Sequence, residues 1–487
     1  MLFLFSSCAV TQETTAQTSD AQEESAAAIS YSFSENTADQ TIKLGYDSST
    51  SLNPFYVTSN LNYYLLPLMY QSLYKVDSLY SPYEELATGA VIDGVTVTVT
   101  VRDDILFSDG TSLSATDVLY SFTLASDSDL YEENLENIIS AEANGNTIIF
   151  TLENEDPYVL NILDFPIVKN GTASSSSDVP TGSGAYKISG DSLVYNSYYN
   201  GSVPQIGTIE LYAVQDSSTF SFLLENGSVD AVFDDLSTGA YSGSSSSSCT
   251  VTLNNLVFIG LNSSNSALSL PAVRRAISYA VNRTEIADNA FSGFAQEAYT
   301  PFNPSWIEYF NCDYDETELY LDYTTASSLL SSSGYSVCYL TLIVNESSTF
   351  KVNAAESIAE SLAEANIIVT IEELNTSEYA AALESGDYDM YIGEIKFPDN
   401  MDLSALFSTS SVAYGISSSS ESIEAYEQYE AGEISMEEFI EIFSADMPIV
   451  PLCYRYGVFL YSRSILTAVE STYDNVFSNI TSWELSS

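Results

Sequence analysis

The hydrophobic pattern of the chain changes its period several times, which predicts strands interleaved with helices. Residues 95–102 carry valine at every second position, the pattern of a strand with one buried face. The turn signal Asn144-Gly145-Asn146 precedes a second apolar segment at 147–152, which indicates a hairpin. Beyond residue 271, segments with a helical period alternate with short apolar segments, which is typical of a mixed α/β fold with short connections.

Helix-start signals and turn residues extend these predictions along the chain. Ser114 and Asp117 form an S-x-x-D helix start, in which the acid lies at the positive end of the helix dipole. Residues 61–76 are apolar and aromatic, and we expect a helix there that runs into a strand. We predict further helices at 271–283, 352–365 and 377–383, and strands at 41–45, 185–189, 256–261, 340–344, 367–371, 388–392 and 448–461.

The first forty residues differ in composition from the rest. A short apolar run ends in Leu4-Phe5-Ser6-Ser7-Cys8, which resembles a bacterial lipobox, so residues 1–8 are expected to be a lipoprotein signal remnant with Cys8 as the lipidated residue. Residues 9–40 are polar without an apolar period, and they predict a flexible tether. No later run of about 18 apolar residues predicts a membrane span. We therefore expect a body anchored by lipid to the outer face of a bacterial cell membrane; the true start of the signal is left open.

Composition narrows the classes of function. A chain of 487 residues is too long for one core, so two or three lobes are expected. The formal charge of −55 excludes nucleic acid as a partner, because phosphate binding needs cationic side chains. No histidine is present, which excludes Ser-His-Asp and Cys-His catalysis. The cysteines show no zinc-binding spacing, and their disulfide state is left open: Cys8, Cys249, Cys312, Cys338 and Cys453. We expect neither a metal nor another cofactor.

Several motifs in the body resemble one known protein family. They occur in the family's order between about 41 and 465, and they are Arg102–Phe122, Pro180–Lys187, Phe258–Asn262 followed by Val273–Arg283, Gly386–Asp389 and Pro448–Leu452. On these motifs the chain resembles the family 5 extracellular solute-binding proteins, which include oligopeptide-, dipeptide- and nickel-binding members. The resemblance implies an α/β, bilobed periplasmic-binding-protein-like fold of type II, in its large three-domain form, with mixed sheets and a hinge.

The resemblance also implies a domain organisation and a hinge. The first lobe is expected to be discontinuous, at 41–57, 178–260 and 446–487, with 58–177 as its accessory subdomain. Residues 261–445 form the expected second lobe. The two hinge crossings are expected at Leu261-Asn262 and between Asp446 and Pro448.

The function implied is that of the substrate-binding subunit of an ABC importer, which captures a peptide or similar small solute and delivers it to permease subunits. Such a receptor needs no catalytic residue and is expected to act as a monomer. In peptide-binding members, an acid of the second lobe pairs with the peptide's α-ammonium, and Glu394 falls near that position. Lys396 would meet a carboxylate of the ligand. Both residues could instead be solvated loop charges, or could pair with each other.

Two other functions stay open at this point. A surface sensor or adhesin could use the same fold without transport. A carboxylate-based hydrolase would need paired acids, and adjacent acids are present at Asp103-Asp104, Asp234-Asp235 and Glu372-Glu373. Adjacent acids on a strand usually point to opposite faces, so we expect no enzyme activity.

Overall fold

A mixed α/β fold is formed by residues 38–214, 219–239, 246–407 and 414–486, which are the residues that the computed structural model describes. The predicted signal remnant with Cys8 and nearly all of the predicted tether lie outside these residues. The strands are β1 Gln40–Tyr46, β2 Tyr74–Val76, β3 Pro82–Glu84, β4 Ala87–Asp93, β5 Thr96–Val101, β6 Ile138–Asn144, β7 Thr147–Leu152, β8 Tyr186–Ser189, β9 Ser192–Tyr195, β10 Ile206–Ala213, β11 Ala231–Asp234, β12 Ser247–Leu261, β13 Ala295–Glu297, β14 Cys338–Asn345, β15 Ile367–Leu374, β16 Met390–Lys396 and β17 Ile449–Tyr461.

The helices cover both halves of the chain. They are α1 Asn60–Met69, α2 Ala115–Ala125, α3 Glu132–Leu135, α4 Phe220–Glu225, α5 Pro271–Ala280, α6 Arg283–Glu285, α7 Ile307–Phe310, α8 Tyr323–Ser332, α9 Thr349–Ala363, α10 Thr376–Ser385, α11 Ser404–Phe407, α12 Glu421–Glu430 and α13 Met436–Asp446. Short 3-10 helices occur at Val159–Ile162, Glu316–Leu319 and Ile480–Ser482, and a π-helical turn at Ile286–Ala290. Within the described ranges, no helix is both long and apolar enough to cross a bilayer.

The local predictions from the sequence pattern are confirmed, with small shifts at the ends of elements. The strand predicted at 95–102 is β5, whose Val97, Val99 and Val101 are buried while the flanking threonines are half-buried. The predicted hairpin joins β6 to β7 through Gly145, which has a φ of +64°. The helix predicted at 271–283 ends at Ala280, because Asn282 caps the next helix by accepting from the Glu285 amide at 3.1 Å.

Two sheets carry most of the strands. A four-stranded antiparallel sheet has the order β4-β5-β7-β6. The larger sheet, eleven-stranded among the described residues, has the order β15-β14-β16-β12-β17-β11-β1-β10-β9-β8, and β13 pairs with β17. Parallel pairs, such as β14 with β15 and β1 with β10, occur beside antiparallel ones. The mixed sheet that we expected is therefore present.

Two hydrophobic cores form on this framework. The first takes its buried side chains from 42–253 and 459–483. The second takes them mainly from 256–460, together with a smaller group at 76–80 and 214–236. Strands β12 and β17 run antiparallel beside each other, and both contribute side chains to the two cores.

The pairing of β12 with β17 is interrupted where β12 passes from the first core to the second. Thr252 pairs with Tyr456 and Leu256 with Tyr454, so β12 carries extra residues at this position, which is a bulge. The Asn254 side chain holds the bulge by donating to the carbonyl oxygens of Phe397 and Pro398 at 3.1 and 2.9 Å. The bulge therefore fixes the path of β12 relative to the segment that follows β16.

The four predicted hinge residues lie farther along these strands. Leu261 is buried at the end of β12 and Asn262 follows it. The carboxylate of Asp446, at the end of α13, forms an ion pair with Arg274 at 2.5 Å, and both residues are buried. Pro448 lies between α13 and β17. The hinge role of these residues and the predicted domain boundaries stay predictions.

Candidate functional site

Glu394 lies in β16 and is bonded on every side by other protein groups. Its Oε1 accepts from Arg455 Nε and Asn255 Nδ2, both at 2.8 Å, and its Oε2 lies 2.7 Å from Lys351 Nζ. Only 15% of the Glu394 side chain is exposed. Arg455 also donates from Nη1 to the carbonyl oxygen of Asp235 at 2.7 Å. This group of side chains therefore ties β16, β17, α9 and the end of β11 together.

The charges around Glu394 decide its protonation. Burial alone would raise the pKa of Glu394, but the positive charges of Lys351 and Arg455 outweigh it and lower the pKa to about 2. The carboxylate is thus ionised and already paired with two cations. Its pairing with a solute ammonium stays a prediction, and the structure shows three protein partners for this carboxylate.

Lys396 lies two residues farther along β16 and faces a different environment. Its Nζ is 4.2 Å from the centre of the Tyr473 ring, in cation–π contact. The Lys396 side chain keeps contact with solvent, although many protein atoms lie around its ammonium group. Desolvation would lower the pKa of Lys396, and the neighbouring Tyr473, Asp399 and Asp474 reverse this, so the pKa is raised. Lys396 does not pair with Glu394, whose partners are those described above.

Next to Lys396, three aspartates form a group that we call the carboxylate cluster: Asp164, Asp399 and Asp474. One carboxylate oxygen from each lies within 4.8 Å of the others. Asp399 follows β16 and is buried, whereas Asp164 and Asp474 are half-buried and belong to segments of the first core. At this spacing, two ionised carboxylates repel each other by roughly 3 kcal/mol at an effective dielectric constant of about 20.

The pKa values of the carboxylate cluster reflect this crowding. Desolvation, with the charge of Asp474, raises the pKa of Asp164 to about 7. The same two effects raise the pKa of Asp399 well above its usual value. Lys75 and Lys396 oppose these shifts without cancelling them. Carboxylates at this spacing can hold a cation, whether an ammonium group or a metal ion.

Two cavities lie along α1. One of about 30 Å³ is lined by Asp164, Asp474, Gln71 and Lys75, among others. The other, of about 390 Å³, is open and mostly polar; its lining includes Asp47, Asn60, Tyr64, Phe220, Phe233, Asp234 and Asp235. Tyr64, which lines the larger cavity, has its ring centre 6.4 Å from that of Tyr473.

Sequence reasoning named Lys396 at the edge of the carboxylate cluster but missed the cluster itself. Asp399 stands three residues after Lys396 and was not among the predicted site residues. Asp164 and Asp474 carry no local signal, because each is a single acid in an unremarkable segment. The disulfide question that the sequence left open is answered for the described cysteines: Cys249, Cys312, Cys338 and Cys453 are free.

Comparison with known proteins identifies the family. Residues 81–415 match the family model described as bacterial extracellular solute-binding proteins, family 5 Middle. The glutathione-binding protein GsiB of Escherichia coli K12 is 25% identical over 364 residues, which cover 69% of each chain.

Solved structures agree with this match at the level of the fold. The ABC transporter substrate-binding protein CtaP of Listeria monocytogenes has a TM-score of 0.74 and 20% identity, over 92% of this chain and 99% of that one. The oligopeptide-binding protein AppA of Bacillus subtilis, in complex with a nonapeptide, has a TM-score of 0.64 and 20% identity, again over 92% and 99%. The fold is that of the type II periplasmic binding proteins. More than half of the chain matches the family model, and the chain therefore belongs to the bacterial extracellular solute-binding proteins of family 5.

Proposed function

We propose that this protein is a lipid-anchored receptor that captures a peptide or similar small solute and delivers it to the permease of an ABC importer. Members of the family are solute-binding proteins of such importers and not enzymes, so we reject the hydrolase alternative. Beyond this family function, we propose three points: a peptide-like solute, a lipid anchor at Cys8 and a monomeric state. GsiB is named for glutathione, and AppA holds a nonapeptide; both are peptides.

The observation that carries the proposal is the meeting of acids from both cores in the carboxylate cluster. Asp399 follows β16 of the second core, whereas Asp164 and Asp474 belong to the first. A receptor that closes around its solute needs binding groups on both sides of the gap. We therefore assign the solute's ammonium group to Asp399 in preference to Glu394, because Glu394 is already paired with Lys351 and Arg455.

The bulge in β12 supports a hinge at 252–256, earlier in this strand than the predicted crossing at Leu261-Asn262. Strand β12 passes from the first core to the second at 253–256, where its pairing with β17 is interrupted. Asp446, in contrast, is fixed to Arg274 at 2.5 Å inside the second core. We therefore place the closing motion at this bulge and expect Leu261, Asn262, Asp446 and Pro448 to move with the second lobe.

Solute binding is tested first by native mass spectrometry of the purified protein, which detects a co-purified molecule. Titration calorimetry then compares trialanine, N-acetyl-trialanine and glutathione. We expect binding without turnover, a preference for a free amine, and loss of that preference in Asp399→Asn but not in the exposed control Asp103→Asn. Cleavage of any peptide, or equal affinity for the free and acetylated forms, would contradict the proposal.

The lipid anchor has a separate test. Cells that express the protein are grown with a labelled fatty acid, and the membrane and medium fractions are compared. We expect label and membrane association for the wild type, and release of unlabelled protein for Cys8→Ala. An unlabelled wild type would remove the anchor from the proposal without affecting the receptor function.

A further inference from the structure

Three buried asparagines, each at most 2% exposed, join the two cores through their side-chain amides: Asn161, Asn254 and Asn303. Asn161 lies in the 3-10 helix Val159–Ile162, whose buried apolar side chains belong to the first core. Its Nδ2 donates to the main-chain oxygen of Asp399, in the segment after β16, at 2.9 Å, and to that of Tyr80 at 2.7 Å. A side chain beside the first core is therefore bonded directly to the main chain of the segment that follows β16.

Tyr80 carries the contact into the second core. It lies in the turn between β2 and β3, and its side chain is 5% exposed among side chains of the second core. Its hydroxyl accepts from Asn303 Nδ2 at 3.3 Å, and the main-chain oxygen of Leu79 accepts from the Ile307 amide at 3.0 Å. Tyr80 has a φ of +56°, which is a strained conformation for a residue with a bulky side chain. A strained turn that contacts with another core hold in place can relax when those contacts break.

The same hydrogen bonds reach the bulge in β12. Asn254, which holds the bulge, accepts at its Oδ1 from Asn303 Nδ2 at 3.0 Å. It also donates to the two main-chain oxygens that directly precede Asp399. The segment that Asn161 binds is thus also the segment that Asn254 binds. One network therefore runs from the first core to the position at which we place the hinge.

Polar groups carry much of this contact between the cores, which allows it to open. Asn400 Nδ2 donates to the Asp156 carboxylate at 2.9 Å, and the rings of Tyr158 and Trp306 meet edge to face with their centres 5.0 Å apart. A hydrogen bond contributes little net free energy, because water replaces it when the two groups separate. Interfaces between domains that move are typically polar in this way. Every group in the contact belongs to the protein, so the contact can form without a solute.

We propose that Asn161, Asn254 and Asn303 form a clasp that holds the two lobes closed in the solute-free protein and must break before a solute enters. The inference rests on the proposed receptor function and adds a control of solute entry to it. The clasp uses none of the side-chain groups that we assign to the solute, so it forms again when the lobes close over a bound molecule. It therefore stabilises the empty and the loaded closed forms alike, and it slows both entry and exit.

The first experiment needs no solute and uses Trp306, which is 1% exposed, as its reporter. Trp483→Phe leaves Trp306 as the single tryptophan of the chain. Acrylamide quenching is compared in this background for Asn161→Ala and for Asn154→Ala, an exposed asparagine before the same 3-10 helix. We expect the quenching constant to rise by at least about threefold for Asn161→Ala and by less than about 1.5-fold for the control, because loss of two hydrogen bonds shifts the population toward the open form.

Small-angle scattering of the same proteins distinguishes opening from local loosening. The radius of gyration should rise together with the quenching constant, and a rise in quenching at an unchanged radius would overturn the clasp. Circular dichroism shows which variants fold. Asn400→Ala removes a bond of a half-buried side chain and should change both quantities in the same direction by less. Unchanged quenching in whichever of the two variants folds would also overturn the clasp.

The second experiment follows trialanine binding by stopped-flow fluorescence of Trp306. We expect the association and dissociation rate constants to rise together by about tenfold in Asn161→Ala, while Kd changes by less than about threefold, because the clasp stabilises both closed forms. A residue that binds the solute acts mainly on dissociation. Faster dissociation alone would overturn the clasp and make Asn161 a part of the solute site.

The clasp and the receptor function fail in different ways. If trialanine does not bind, the peptide assignment is wrong, and quenching and scattering still decide the clasp. If trialanine binds but Asn161→Ala leaves the radius of gyration and both rate constants unchanged, the clasp is wrong and the receptor function stands.

Discussion

Removal of the Glu394 charge should destabilise the protein by about 3 kcal/mol at pH 7. Folding lowers the pKa of this carboxyl from 4.5 to about 2, and each unit corresponds to about 1.4 kcal/mol. The side chain is 15% exposed, so solvent screens these charges only weakly. Glu394→Gln would leave Lys351 and Arg455 without their shared anion, and a broken buried pair typically costs about 3–5 kcal/mol. The two estimates agree.

The pH dependence of this effect is fixed by the direction of the shift. A lowered pKa contributes stability that is present above the unfolded value, near 4.5, and is lost as the pH falls toward 2. The difference between the wild type and Glu394→Gln should therefore be full at pH 7 and should shrink steadily between pH 4.5 and 2. Both proteins are compared over the part of this pH range in which their unfolding is reversible.

Urea unfolding followed by tyrosine fluorescence and circular dichroism measures the effect. Glu356→Gln, an exposed acid on α9, is the matched control and should change stability by less than about 0.5 kcal/mol. The double variant with Lys351→Met should lose less than the sum of the single losses, because the two side chains interact directly. A loss for Glu394→Gln that does not exceed the control would refute the electrostatic reasoning.

The same variant separates a structural role from a ligand-binding one. If Glu394 acts by holding β16 against β17 and α9, its loss should weaken trialanine and N-acetyl-trialanine equally. A selective loss for the free amine would instead restore Glu394 as the group that meets the solute.

Three further predictions use other buried groups. Arg274→Lys should cost about 2–4 kcal/mol in urea unfolding, because one ammonium cannot reproduce the guanidinium's bonds to the Asp446 carboxylate and to main-chain carbonyls; a loss below 1 kcal/mol would contradict this. Gly184→Ala should cost at least about 1–3 kcal/mol, since its Cβ would lie 2.5 Å from the carbonyl carbon of Met69, and unchanged stability would show that this turn moves freely. Cys453, buried and with a raised thiol pKa, should react with iodoacetamide only on unfolding, and fast labelling of the native protein would show that its strand opens.

Helices and strands whose hydrophobic pattern lies within a short stretch of the chain could be predicted from the sequence. The alternation in 95–102 describes one strand face, and β5 buries it as expected. The ends of elements shifted where a side chain acts on the next segment, as Asn282 does when it caps α6 and ends α5 early. Long strands were underestimated: only 256–261 of β12 was predicted, and the alternation of Cys249, Val251 and Leu253 with threonines in its first half was missed behind the serine-rich segment.

The site could be predicted only in part, because charge pairing depends on residues that are distant in the chain. Glu394 has the position of a ligand-binding acid in the sequence, but Lys351 and Arg455 reach it from α9 and β17. Asp399 was not predicted, since nothing local in the sequence distinguishes a paired acid from an unpaired one. Asp164 and Asp474 become meaningful only when the fold brings them to Asp399.

The small number of cationic side chains limits which buried carboxylates the protein itself can neutralise. Only 12 lysines and arginines accompany 67 acids, so few buried carboxylates can be neutralised by the protein itself. Lys351 and Arg455 are used on Glu394, and Arg274 on Asp446, while the buried Arg283 donates to main-chain carbonyls. Each of these cations holds the fold together. The carboxylate cluster has two lysines near it, and the pKa values of Asp164 and Asp399 are nevertheless raised, so these lysines do not offset the desolvation and mutual repulsion of its carboxylates.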